Sequence, residues 1–89
     1  MIAGTRWVYQ TEDDYVLQRR EIAFIDFHRA ILKGYIGNKI TGDEGNQDVE
    51  CNYVYNFPNV TFTNNNGTET GKIFGNTLTF LGLEYTRIR

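Results

Sequence analysis

The sequence predicts an all-β domain of antiparallel strands in simple succession, and three observations carry that reading. Short runs of alternating apolar and polar residues, rich in Val, Ile, Tyr, Phe and Thr, recur from residue 49 to the C-terminus. Inside GKIFGNTLTF (71–80) two such runs flank Gly75-Asn76, the two-residue connection that tight hairpins prefer. A helix over the same region would have to carry Gly71, Gly75 and Gly82 with several β-branched residues, at about 1 kcal/mol for each glycine.

The elements follow in order. Thr5 to Tyr9 alternates with period two, Trp7 and Tyr9 on one face and Arg6 and Val8 on the other, and the acidic run Thr11 to Asp14 closes it as a turn. Residues 14 to 34 admit two readings. As strand, Ala23, Ile25 and Phe27 alternate with Phe24, Asp26 and His28 in a segment rich in Ile and Phe. As helix, Thr11 and Asp14 resemble a capping box, Lys33-Gly34 an end, and Leu17, Phe24, Phe27 and Ile31 a partial apolar stripe. Arg20 interrupts that stripe where a core residue should sit, which favours two or three strands. The alternative is an α+β fold with one helix around residues 12–33.

Gly34, Gly37 and the polar run Thr41 to Asp48 predict a turn and a long polar loop. Val49 to Phe57 is the cleanest alternation, with Val49, Cys51, Tyr53, Tyr55 and Phe57 on one face, and Pro58 ends it because it cannot donate to a ladder. Asn59 to Thr63 begins the next strand with Val60 and Phe62 facing one way, and Asn64 to Gly67 is a loop. The hairpin at 71–80 follows, and Leu83 to Ile88 is the closing strand.

Composition sets the limits. Eighty-nine residues make a single domain, 1–89, and 40% hydrophobic and 15% aromatic content is ample for a folded core. A net charge of −2 with no basic block gives no electrostatic footprint for nucleic acid or an anionic membrane. The longest apolar runs are about four residues, as in Ile22 to Ile25, against the roughly 20 that a membrane span needs. MIAGTRW has neither the basic nor the apolar region of a signal peptide, and such a start also suits a domain excised from an exported precursor. The lone Cys51 excludes an intrachain disulfide and reads as a small buried hydrophobe. No second Cys or His spacing supports a metal site, and no cofactor is expected.

Four motifs together carry a family resemblance: Gly4-Thr-Arg-Trp7, Tyr53-Val-Tyr-Asn-Phe-Pro58, Val60-Thr-Phe-Thr63 and Gly71-Lys-Ile-Phe-Gly-Asn-Thr-Leu78. In that order they resemble the small lipocalin-like (calycin-like) domains common in exported proteins and lipoproteins of gut bacteria. Residues 15 to 48 lie outside the resemblance. It implies a small antiparallel meander β-barrel and an exported location, periplasm or cell surface after removal of a signal peptide. True lipocalins carry Gly-x-Trp, one residue shorter than the spacing here, and run to about twice this length. They also pack an Arg of the last strand over the first-strand Trp, a part that the resemblance gives to Arg87 or Arg89 with Trp7, as a structural lid.

The chemistry-bearing residues are sparse. Asp26 and His28, two apart on one strand face and thus about 6.5–7 Å between Cα atoms, could orient a general base, yet no nucleophile or metal completes the set. Asp43, Asn46, Asp48 and Glu50 offer oxygens of the kind calcium takes, at a spacing that fits no EF-hand loop. The aromatics are the stronger signal. Trp7, Tyr9, Tyr53, Tyr55, Phe57 and Phe62 share one face, and in a barrel of about eight strands such side chains nearly fill the interior. Where a shallow pocket survives at the mouth, Trp7, Tyr53 and Tyr55 are the candidate ligand-binding residues. The expectation is a non-enzymatic binding or interaction module of an exported bacterial protein, its partner a protein or a glycan, with a homodimer as the simplest association. The alternative is a carrier of a small apolar ligand at the barrel mouth.

Overall fold

The computed structural model describes residues 2–89, and over these the chain forms eight antiparallel strands and no helix. They are β1 (Arg6–Glu12), β2 (Val16–Phe24), β3 (Arg29–Asn38), β4 (Glu44–Asn56), β5 (Asn59–Asn64), β6 (Gly67–Phe74), β7 (Thr77–Phe80) and β8 (Leu83–Arg87). Each pairs with the next, and β1 pairs with β8 through Trp7↔Arg87 and Val8↔Thr86, so the meander closes as a barrel. The helix considered for 12–33 is absent because the segment's apolar residues alternate. Ile22 and Phe24 enter the core beside Trp7 and Ala30, while Glu21 takes the outer face, where Arg6 forks onto it at 2.8 and 2.9 Å.

Three expectations are corrected. Asp26 and His28 stand in the β2–β3 turn, not on a strand face. Asp26 Oδ1 accepts from the His28 and Arg29 amides at 2.8 Å each, the short local bonding that lets Asp initiate turns. The segment 44–48, expected as loop, extends β4, and Gly34 and Gly37 lie within β3 rather than in a turn. Backbone pairing from Glu44 to Asn52 with β3 outweighs the polar composition, because this length of β4 does not have to bury its side chains. Phe57 turns out of the core, 69% exposed, at the connection to β5.

Inward rows fill one end of the barrel. Trp7, Ile22, Phe24, Val60 and Leu78 are the largest fully buried side chains, each contributing about 1.5–3 kcal/mol by burial. Phe62 joins them across the interior, stacked on Phe24 at 5.8 Å and edge-on to Phe80 at 4.9 Å, and Phe24 meets Tyr53 edge-on at 4.8 Å. The N-terminal turn plugs this end. Trp7 Nε1 donates to Thr5 Oγ1, which donates to the Ile2 carbonyl, and Ile2 and Thr5 are both buried. Arg87 stands opposite Trp7 in register but is exposed, its Nε donating to the Arg89 carbonyl.

The wall is uneven. Strands β2, β3 and β4 run 9, 10 and 13 residues, whereas β7 and β8 run 4 and 5. Pairing of β4 with β5 begins only at Asn52, and pairing of β1 with β8 stops at Val8. Above the core the barrel is therefore a curled sheet of β1 to β4 alone, standing over the low hairpins β5–β6 and β7–β8.

Candidate functional site

The step from high wall to low wall makes the site. Alternation carries the inward rows of β2 to β4 upward from the core as Ile22 and Arg20, Leu32 and Gly34, Val49 and Gln47. From the low side Phe80, Leu83 and Tyr85 meet them, and a cavity of about 310 Å³ opens between. Its floor is apolar and its rim holds Arg20 and Gln47. Gly34, between those two in register, has no side chain to fill the trough. The concavity continues along the tall sheet past Gln18, Ile36 and Gly45.

Arg20 is the polar group that this arrangement sets apart. It is exposed on the inward row, and among the described residues no carboxylate forms an ion pair with it. Gln18, on the same row, turns its side-chain oxygen to the guanidinium at 3.1 and 3.3 Å, the amide orientation that matches donor to acceptor. Tyr9 and Tyr85 lie beside it, ring centres 6.1 Å apart. Burial raises the Tyr85 phenol above its ordinary pKa while Arg20 pulls it back, so the hydroxyl stays protonated at neutral pH.

Of the residues read from the sequence as ligand-binding, none lines this cavity. Trp7 and Tyr53 are buried at the closed end, and the Tyr53 hydroxyl donates to the Asp26 carbonyl; Tyr55 is half-buried against the same core. Asp26 is equally engaged, since backbone amides and the Arg29 guanidinium hold its carboxyl down at about 2. Cys51 is buried, its thiol raised by burial, with Sγ 3.7 Å from the Ala30 carbonyl. Sequence reasoning missed Arg20, Leu32, Gln47, Val49, Leu83 and Tyr85. The available signal was Arg20 itself, a cation on the row that continues down into the core as Ile22 and Phe24.

Comparison with protein-family models, curated proteins and solved structures finds no match to this chain. Among the described residues, no group of three or more His, Cys, Asp or Glu gathers to hold a metal, and no helix is long and apolar enough to cross a membrane.

Proposed function

We propose that the protein is a non-enzymatic binding module of an exported protein, a lipocalin-like barrel that engages a macromolecular partner at its open end. The observation that carries this reading is the division of the barrel. One end is packed with aromatic side chains, and the other presents an apolar-floored hollow edged by Arg20, which has no carboxylate partner among the described residues. The lipocalin-like motifs support the exported setting.

A second reading, carrier of a small apolar ligand, draws on the same hollow, whose volume of about 310 Å³ falls at the small end of the range for ligand pockets. Thermal melts with laurate or an anilinonaphthalene dye at saturating micromolar levels separate the two. A carrier at 100 times its Kd gains about 2.7 kcal/mol, or roughly 10–20 °C for a domain of this size. The module reading expects no such gain. A shift of that size in a monomer would replace the module by the carrier.

A further inference from the structure

We propose that Glu44 to Glu50 of β4 form a docking edge for an extended segment of a partner protein, one that alternates apolar and basic residues and adds as a strand beside β4. The proposal rests on the binding-module reading and specifies its partner.

The edge follows from backbone phase. Tyr53 N–H donates to the His28 carbonyl and Asn38 N–H to the Asp43 carbonyl, at 2.8 Å each. In an antiparallel ladder these directions alternate, so odd-numbered residues of β4 turn their N–H and C=O to β3. Asn46, Asp48 and Glu50 turn theirs the other way. There β5 does not reach them, because its pairing begins at Asn52. Three donor–acceptor pairs thus stand free in a row on an exposed strand, the condition for strand addition.

Side-chain rows define what would fit. The inward row of β4, Gly45, Gln47 and Val49, borders the mouth. A second hollow of about 240 Å³, which includes Leu32, Phe62, Phe80 and Leu81, lies where β4 parts from the β5–β6 hairpin. Alternate side chains of an added strand would project over these apolar floors. The remaining ones would lie beside the outer row of β4, which carries Glu44, Asp48 and Glu50 and no cation. Arg29, 3.8 Å from Glu50, and Lys33, opposite Asp48, lie behind on β3.

The same charges argue against a second copy as occupant. Antiparallel self-pairing centred on Gln47 would set Glu44 of one copy opposite Glu50 of the other, twice over, and like charges directly opposite are destabilising. Acidic side chains also blunt an edge against aggregation while leaving it open to a basic strand. The free stretch of β1, Tyr9 to Glu12, is shorter and ends on Glu12, which pairs with Lys39.

The test uses the whole chain, ¹⁵N-labelled, with two capped nine-residue peptides, one alternating Val and Lys and the other Val and Glu. In the free protein the amides of Gln47 and Val49, turned to β3, should be protected from exchange, and those of Asn46, Asp48 and Glu50 should not. The Val–Lys peptide should slow exchange at those three by at least about tenfold, and the Val–Glu peptide should not. Asp48→Pro removes one outward N–H without touching the β3 ladder and should weaken the Val–Lys peptide at least about tenfold. Asp48→Asn, which keeps the N–H, should weaken it less. The wild-type exchange pattern decides even where the proline variant fails to fold. Shifts at Leu32, Val49 and Tyr85 without new protection at the three amides would overturn the edge and leave the binding module standing. Equal binding of both peptides, or of neither, would also overturn the edge.

Discussion

Gly71→Ala tests the packing on which barrel closure depends. Gly71 is buried in β6 opposite Val60 of β5. A methyl at its Cα would stand 2.8 Å from the Thr79 carbonyl oxygen and 3.3 Å from Phe80 Cδ1. An ordinary carbon–oxygen contact is about 3.4 Å, so β7 would have to give by roughly 0.6 Å. The carbonyl belongs to the β6–β7–β8 ladder and cannot rotate away, and Phe80 is wedged on Phe62. Overpacking of this kind costs about 1–3 kcal/mol, against which the stiffer unfolded chain returns about 0.4–1 kcal/mol. The expected net loss is about 1–2 kcal/mol, or roughly 5–15 °C in Tm. Gly34→Ala is the control, because its nearest neighbour is the Gln47 carbonyl at an ordinary 3.8 Å. Urea unfolding followed by Trp7 fluorescence, with thermal melts by circular dichroism, should show loss for Gly71→Ala and none for Gly34→Ala. Equal stability of the two variants would refute the reasoning.

Three further outcomes are expected. Gly75 has φ +58 and open space where a Cβ would stand, so Gly75→Val should lose about 1–3 kcal/mol by backbone strain alone, and Gly75→Asn much less, as urea midpoints would report. Arg6 holds the Glu21 carboxyl below its ordinary range, so this pair stabilises the fold above about pH 4.5 and the contribution fades as pH falls through the lowered native value; Glu21→Gln should flatten the acid limb of stability measured against pH. The Cys51 thiol, buried and raised in pKa, should resist a disulfide reagent in the native protein at pH 8 and react promptly in urea.

Which parts of the fold were legible follows from where side chains carry the pattern. The strands from Cys51 to Phe80 could be read because alternate residues enter the core as Cys51 and Tyr53, Val60 and Phe62, Gly71 and Ile73, Leu78 and Phe80. The turns use Pro58, Asn65-Asn66 and Gly75-Asn76, and of the last pair Gly75 alone has positive φ, the type II′ pattern. Beyond the core the alternation fails. Glu44 to Asp48 are all exposed, so no row of β4 there is apolar, and only backbone pairing to β3 makes it a strand. Arg20 and Gln47 face inward at a level where the wall is incomplete, so Arg20 reads as an interruption of an apolar stripe and Gln47 as part of a polar loop. Trp7 and Tyr53 have the amphipathic character of ligand-binding aromatics, yet their polar atoms are satisfied by Thr5 and by the Asp26 carbonyl, as core aromatics require. The site lay in the residues that broke the pattern.

That division has a physical consequence for how the molecule can hold both stability and an open surface. A small domain has little core to spare, and here nearly all of it lies below the level of Leu32 and Tyr85, where all eight strands close. The tall sheet above draws its order from β2–β3–β4 pairing that runs unbroken down into that core, from Val16↔Asn38 to Phe24↔Ala30 and from Gly37↔Glu44 to Arg29↔Asn52. It therefore needs no filling of its own, and its concave face and the outward amides of β4 stay free without an energetic cost to the fold. Polar residues at Gln18, Arg20 and Gln47 are tolerated there because water still reaches them, whereas the same residues at the level of Phe24 or Phe62 would be buried without partners. Sequence change on the tall half can accordingly alter that open surface while the closed half keeps the barrel folded.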